Sequence, residues 1–483
     1  MYLVINLGLK SIRGIIFNKN GKKIYIKSFN IKTYIKDEFV EQNPQSYKKF
    51  LEKIFINIRD KKISKKIKYI STTTSASCLL LLNKKKKTIS KSIMVLDGRT
   101  KNIADYYNKM IKSKKFSTDD QILKILWFQK KLKNKNILGH ILNSGDYLNY
   151  LITNQIFTDR LNYNKIVNKK FEIIQKLNKK EIINKHFIPK PYEIGEIFEL
   201  DRSLLKKYGF TTDTKFILTT YDAICATIGS ANFKNPFNNI SEVSGTVTSI
   251  RLITKNLPKI KNHNLKISSI PLLKIYIVGA SSNLGGGLIG WIKDFFLKKV
   301  DFKILKKYYD RSKNNLIFLP FIFGDRYLEI NPHNGASIFG LKRDSTIYDV
   351  VKSCILSTGF ISKKYIDDLV QEGFKINTIT LSGGLSRIKF INEIKSLIFK
   401  KKTFLCDEFE STSFGCFLIM KAKIEKLKFK DIIKMIKLKR IAKTKKEFFD
   451  YDYKRFIKMI LRYKTLENET TKISQRNNYK VNL

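Results

Sequence analysis

Asp222 stands between a short apolar run, Phe216–Leu218, and a stretch rich in small residues that includes Ala223, Ala226, Thr227 and Gly229–Ala231. The apolar run reads as a buried strand and the small residues as a closely packed helix. A carboxylate at a strand end and helix start lies where ligands gather in α/β proteins, and there it can take a proton from a substrate hydroxyl. Asp222 is therefore the candidate general base. An isolated Asp before a helix is by itself no more than an N-cap, so its company decides. Other common chemistries find no support. Cys78, Cys225, Cys354, Cys406 and Cys416 are scattered through apolar runs and read as buried thiols. His140, His186, His263 and His333 form no cluster with metal-ligand spacing.

A catalytic carboxylate needs a scaffold. With 483 residues the chain is too long for one core, and about two domains are expected. Tyr2–Asn6 reads as a strand, Gly8–Ser11 as a turn and Ile12–Phe17 as a second strand. Strand, small-residue turn and strand recur from Ile240 through Ile250, which predicts two related α/β domains facing each other. Helices are expected at Ser46–Ile58 and Ile122–Leu132 and a strand at Ile67–Thr72. Beyond them come Gly285–Gly287, a strand at Leu316–Leu319, a helix at Ile347–Val370 and a strand at Thr378–Leu381 running into Ser382-Gly383-Gly384. The glycine run has no following G-K-[ST] and reads as a close helix approach. Trp127 and Trp291 are expected in the core. Pro236 and several Asn place the boundary within Asn232–Asn239, giving domains over 1–235 and 236–483. The second carries a basic C-terminal tail, Lys421–Leu483, with a helix-like pattern and a polar end, Asn468–Leu483, expected to fray; its charge is read as a solvated face.

Lys and Arg number 94 against 41 Asp and Glu, a formal net charge of +53. The excess is mostly Lys and spread along the whole length, so it reads as compositional bias rather than a nucleic-acid surface. A hydrophobic fraction of 43% is ordinary for a folded protein. The start, Met1–Ile5, does not read as a signal peptide, and no run reaches the length of a membrane span. The cytoplasm is the expected location, with no membrane and no specific nucleic acid as partner and a homodimer left open.

Eight segments in order resemble the FGGY family of carbohydrate kinases. Asn6–Arg13 is similar to the D-x-G-T-[TS]-S-x-R phosphate loop, Val95–Thr100 to W-x-D-x-R, Lys124–Trp127 to K-x-x-W, and Asp146–Leu148 with Thr158–Asn162 to D-Y-L…T-D-x-x-N. Gly245-Thr246 resembles the second phosphate turn, Leu319-Pro320 with Gly324–Arg326 the L-P-Y…G-E-R segment, Ala336–Leu341 with Asp349 the C-terminal signature, and Gly383-Gly384 with Arg387 the adenosine turn.

The resemblance implies two actin-like ATPase (ribonuclease H-like) domains with an interdomain cleft, ATP and Mg²⁺ as cofactors, and phosphorylation of a small sugar or polyol. Asp222 falls where the family carries its catalytic Asp. Gly8, Ser11, Arg13, Gly245 and Thr246 then belong to phosphate turns, whose backbone N–H groups approach the anion. Gly383 and Gly384 admit the nucleotide without a side-chain clash, though each glycine singly reads as a turn needing positive φ. Asp97 and Arg99 are candidate sugar or phosphate contacts, with a surface ion pair as their alternative. Asn6 and Asp222 are the candidate metal residues. Ser71–Cys78, with Ser75 and Ser77, lacks the Gln-Met-His of xylulose kinases and looks closer to ribulose-type members; its hydroxyls can bond a polyol in either direction. A ketopentose such as xylulose or ribulose is the expected substrate. Asn6 replaces an Asp, Leu9 and Lys10 replace hydroxyl residues, and Leu356 replaces an acid. A catalytically weakened, actin-like sugar- or nucleotide-binding protein is therefore the alternative.

Overall fold

The computed structural model describes residues 1–111, 116–132, 135–177, 185–297, 302–330, 335–408, 410–441 and 449–480. Two compact units form. The first comprises Met1–Gly229, Ser268–Tyr276 and Glu410–Met435; the second comprises Ser230–Ile267, Ile277–Phe409 and Ile436–Leu483.

In the first unit, β1 (Tyr2–Leu7), β2 (Ser11–Phe17), β3 (Lys23–Asn30), β4 (Tyr69–Thr74), β5 (Ile197–Glu199) and β6 (Lys215–Ile217) form a sheet in the order β5-β6-β4-β1-β2-β3. β2 lies antiparallel to both β1 and β3, while β1–β4 and β4–β6 are parallel. Every residue of β1 is buried, as a strand covered on both faces requires. The Pro44–Asp60 helix turns Leu51, Ile54, Phe55 and Ile58 into the core, and the Asn43 side chain caps it by accepting from Gln45 N at 3.0 Å. β4 begins two residues later than its apolar pattern suggested, because Ile67 N closes a turn onto Ser64 O. The parallel register sets Leu7 beside Thr74 and Phe216 beside Ile70, so β1, β4 and β6 point their C-terminal ends the same way. A separate five-stranded sheet contributes Leu79, Leu81, Ile93 and Ile141 to a cluster with the Gln121–Lys131 helix.

In a second sheet, which belongs to the second unit except for Ser268–Ile270 and Ile275–Tyr276, β7 (Asn239–Ser244), β8 (Thr248–Thr254), β9 (Lys266–Ile270), β10 (Ile275–Ser282), β11 (Thr378–Ser382), β12 (Lys402–Cys406) and β13 (Leu438–Arg440) take the order β9-β10-β8-β7-β11-β12-β13. β7 is antiparallel to β8 and parallel to β11, β11 is parallel to β12, and β13 closes the edge antiparallel. Both sheets thus set an antiparallel hairpin beside two parallel neighbours, which is the repetition expected from the two strand-turn-strand starts. The Ile347–Gln371 helix carries Val351, Ile355, Tyr365 and Leu369 into the core of this unit.

The basic stretch from Lys421 onward is not a solvated tail. Its first part ends the Ser411–Ile424 helix of the first unit, where Phe429, Ile432 and Ile433 are also buried. Its later part forms the Asp450–Lys480 helix, which buries Phe456, Ile460 and Tyr463 in the second unit's core. This helix answers the helix-like pattern of the sequence; residues 442–448 and 481–483 lie outside the described residues. All five cysteines are buried free thiols. Trp127 and Trp291 pack against the cores but are only partly buried. Among the described residues no helix is long and apolar enough to cross a membrane.

Candidate active site

After β6 the chain runs through buried Leu218–Tyr221 and begins a helix, Asp222–Gly229, on Asp222 itself. Hydroxyls hold this passage in place. Thr219 Oγ1 donates to Thr72 O at 2.6 Å, Thr73 Oγ1 donates to Thr220 O at 2.9 Å, and Thr220 Oγ1 donates to Asp159 Oδ1 at 2.8 Å. The small residues behind Asp222 meet backbone: a Cβ on Gly229 would lie 2.0 Å from Ser411 O, and one on Gly415 would lie 1.8 Å from Cys225 O. The Asp222 helix and the Ser411–Ile424 helix therefore touch without side chains between them. Asp222 is half-buried. Its Oδ1 accepts from Ala223 N at 2.7 Å and its Oδ2 accepts from Ser75 Oγ at 3.2 Å, while the helix N-terminus favours its negative charge.

Asn6 lies buried near the end of β1, opposite Thr73 on β4 and Arg13 on β2. Its Nδ2 donates to Ser413 Oγ at 3.1 Å, which leaves Oδ1 as the acceptor of the amide. Ser75 N donates to Leu7 O at 3.2 Å, joining the ends of β1 and β4. Asn6, Ser75 and Asp222 thus come from neighbouring parallel strand ends. Gly8 N donates to Ser11 O at 2.9 Å in the tight β1–β2 turn, and Arg13 Nη1 pairs with Glu410 Oε1 at 2.5 Å. Ser77 adopts a left-handed backbone, φ 60°. Its carbonyl accepts from the fully buried Lys124 Nζ at 2.8 Å, and Lys124 also donates to Met94 O at 2.7 Å. A narrow crevice lined by Leu7, Gly8, Thr74, Ser75 and Cys78, among others, opens beside these residues.

Asp97 and Arg99 are a buried pair rather than a surface one. Arg99 Nε and Nη2 each reach a carboxylate oxygen of Asp97 at 2.7 Å, and Nη2 also reaches Glu41 Oε1 at 2.8 Å. Val40 N donates to Asp97 Oδ2 at 2.6 Å. The guanidinium lies 4.4 Å from the Phe39 ring centroid and 4.5 Å from that of Trp127, so the partly buried Trp127 serves as a cover for this fork.

Three residues passed over as candidates belong to this neighbourhood. Lys165 Nζ stands 3.5 Å from the ring centroid of Tyr221, next to Asp222. Asp159 caps the helix Arg160–Ile166 while holding Thr220, and burial raises its carboxyl above the usual range. Burial likewise pushes the carboxyl of Asp146 up to about 7, against the Asn143 N–H that it accepts. The T-D-x-x-N spacing was the available signal for Asp159; Lys165 left none among so many lysines.

In the second unit Val243 lies opposite Ser382, so the turns at Gly245-Thr246 and Gly383-Gly384 leave adjacent strand ends. Gly286 N donates to Gly245 O at 2.8 Å and Gly287 N to Thr246 O at 3.0 Å. The Gly285–Gly287 run is the close approach expected of it, and what it approaches is the Gly245-Thr246 turn. Gly383 has φ +87°, and a Cβ there would lie 2.7 Å from Ser244 O, so this position demands glycine. Gly384 differs: it is exposed, and a Cβ there would meet nothing within 4 Å. That opening suits the close approach of a ligand.

Among the described residues no three His, Cys, Asp or Glu side chains gather as metal ligands. Asn6 and Asp222 offer an amide oxygen and one carboxylate, a donor set that fits Mg²⁺ arriving on phosphates and keeping its water, not a dedicated protein cage.

Residues 1–229 match the model of the FGGY family of carbohydrate kinases, N-terminal domain, and residues 248–420 match that of the C-terminal domain. Compared by sequence with curated proteins, the chain has no match. Among solved structures it is similar to the ligand-bound xylulose kinase from Lactobacillus acidophilus, with a TM-score of 0.82 and 19% identity over 98% of this chain and 99% of that one. Gluconate kinase from the same organism gives 0.81 and 19% over 97% and 98%. Glycerol kinase from Plasmodium falciparum, solved with ADP, gives 0.74 and 17% over 97% and 98%. At these identities the likeness is one of fold: two α/β units, each with a central sheet and flanking helices, in keeping with an actin-like architecture. With both family domains matched in order, the chain belongs to the FGGY family of carbohydrate kinases, ATP-dependent phosphotransferases that act on an alcohol group.

Proposed function

We propose that this chain transfers the γ-phosphoryl group of ATP to a hydroxyl of a small sugar or polyol, a ketopentose such as xylulose or ribulose, with Asp222 as general base. The observation that carries the reading is the Asp222 carboxylate, held by Ala223 N and Ser75 Oγ at the end of β6. The substrate oxygen attacks the γ-phosphorus as Asp222 takes its proton, and the bond to the β–γ bridging oxygen breaks to release ADP. Ser75 orients the carboxylate and, with Ser77, contacts the polyol. Asp97 and Arg99 serve the sugar site by fixing the Phe39–Glu41 segment, since their polar atoms already engage Val40 and Glu41. Gly8, Ser11 and Arg13 form one phosphate turn, Gly245 and Thr246 the other, and Gly383 and Gly384 receive the nucleoside. Residues 1–235 thus supply the sugar side and the base, and 236–483 the nucleotide side. Asp222 and Asn6 would hold Mg²⁺, which would neutralise phosphate charge.

The hydroxyl-rich Ser71–Cys78 segment, whose side chains can bond a polyol in either direction, suits a ketopentose. A weakened sugar- and nucleotide-binding protein is the second reading, favoured by Asn6, whose amide is tied to Ser413 and brings no charge. Both are tested by measuring ADP formation over ketopentoses, gluconate and glycerol, with Asp222→Asn alongside. The expected result is turnover with a ketopentose that falls roughly 100-fold or more in Asp222→Asn at unchanged melting temperature. Near-native turnover in that variant would refute the role of Asp222, and turnover confined to gluconate or glycerol would refute the substrate.

A further inference from the structure

Glu242 and Lys395 form an ion pair deep in the second unit, with side chains 1% and 3% exposed. Glu242 lies on β7, shortly before the Gly245-Thr246 turn, and Lys395 lies on the Lys389–Phe399 helix, which follows the Gly383-Gly384 turn. Ser244 links them. Its Oγ donates to Glu242 Oε1 at 2.9 Å, lies 3.4 Å from Lys395 Nζ, and is 3.0 Å from Thr248 Oγ1 on the far side of the phosphate turn. The backbone of Ser244 also abuts Gly383, whose missing Cβ would meet its O, C and N atoms within 3.1 Å. One residue therefore touches the ion pair and both turns. Burying two charges costs more than burying an apolar pair of the same shape, and Glu242 Oε2 has no hydrogen-bond partner among the described residues. Stability alone is a poor reason for charges in this place.

We propose that the Glu242–Lys395 pair positions the two nucleotide turns relative to each other and so sets the affinity for nucleotide. The proposal rests on reading Gly245-Thr246 and Gly383-Gly384 as the nucleotide site. Lys395 draws its helix onto β7; β7 delivers Gly245, and the start of the segment leading to that helix delivers Gly384. Both charged groups are buried, so they act through the turns, as positioning residues.

Lys395→Met alone leaves a buried unpaired carboxylate and is expected to be unstable. The informative variant is the double substitution Glu242→Gln and Lys395→Met, which removes both charges, keeps the shapes and leaves Ser244 an acceptor. Melting temperature is read by calorimetry, ADP affinity by titration with ADP and Mg²⁺, and the KM for sugar by turnover. The double variant should melt like the unaltered chain, bind ADP about tenfold more weakly, and keep its KM for sugar. Unchanged ADP affinity in the folded double variant would overturn the proposal alone and reduce the pair to a structural contact. Failure of the unaltered chain to bind ADP would overturn it together with the nucleotide reading of the turns.

Discussion

Gly415→Ala tests whether the carboxylate of Asp222, the proposed base, is held by backbone contact between two helices. The added Cβ would lie 1.8 Å from Cys225 O and 2.6 Å from Cys225 C, where real Cβ atoms essentially never come within 3.0 Å. The neighbour is backbone, so the Asp222 helix must retreat by about 1.2 Å to relieve the first contact. Alanine gains up to about 1 kcal/mol of helix propensity over glycine, but overpacking of this kind costs about 1–3 kcal/mol when side chains yield and more when they cannot. The net loss is expected at about 2 kcal/mol or more, a fall of roughly 4–8 °C in the melting of the first unit. Cys225 is one helical turn from Asp222, so the same retreat displaces the proposed base, and a misplacement near 1 Å can lower turnover about 100-fold. Calorimetry and ADP formation measured well below the melting temperature separate the two effects. Gly290→Ala, where a Cβ meets nothing within 4 Å, is the control; it should be neutral or slightly stabilising, by up to about 1 kcal/mol. A Gly415→Ala protein with unchanged melting temperature and turnover would show that the helices are free to separate and that their contact does not set the position of Asp222.

Gly383→Ala should cost about 1–3 kcal/mol, because it places a side chain at φ +87° against Ser244 O. Gly384→Ala should leave stability unchanged yet weaken ADP binding roughly tenfold, about 1.4 kcal/mol; equal affinity would remove Gly384 from the site. Asn6→Asp should lower the Mg²⁺ concentration for half-maximal turnover, with the Ser413 hydroxyl turning to donate to the new carboxylate. If neither the metal requirement nor turnover improves, Asn6 is not a metal residue. Asp146, raised to about 7 by burial, lies above its unfolded value near 3.9, so folding takes up a proton. Its stabilising contribution is complete below about pH 4 and is lost as pH rises through about 7, a change of roughly 4 kcal/mol. Asp146→Asn keeps an acceptor for Asn143 N, and its stability relative to the unaltered chain should grow between about pH 5 and pH 8 in urea melts. Parallel curves would refute the assignment.

What the sequence determined by itself is local chemistry. The apolar run before Asp222, the small residues after it, the turns at Gly8, Gly245 and Gly383, and the Gly285–Gly287 approach all follow from strand periodicity and from where a backbone needs room, which are properties of a few consecutive residues. Tertiary structure decided which distant groups complete them. Ser413 binds Asn6 from 407 residues away and Glu410 binds Arg13 from 397. Asp97 and Arg99 became a buried fork under Phe39 and Trp127 instead of a surface pair. The lysines after Lys421 were spread over two units by apolar residues between them. Among so many lysines, charge pattern could not mark Lys124, Lys165 or Lys395 as different from solvated neighbours. Burial marks Lys124 and Lys395, and a place over the Tyr221 ring marks Lys165; both exist only once the chain has returned on itself, and a charge withdrawn from water must find its partner in whatever segment then lies beside it.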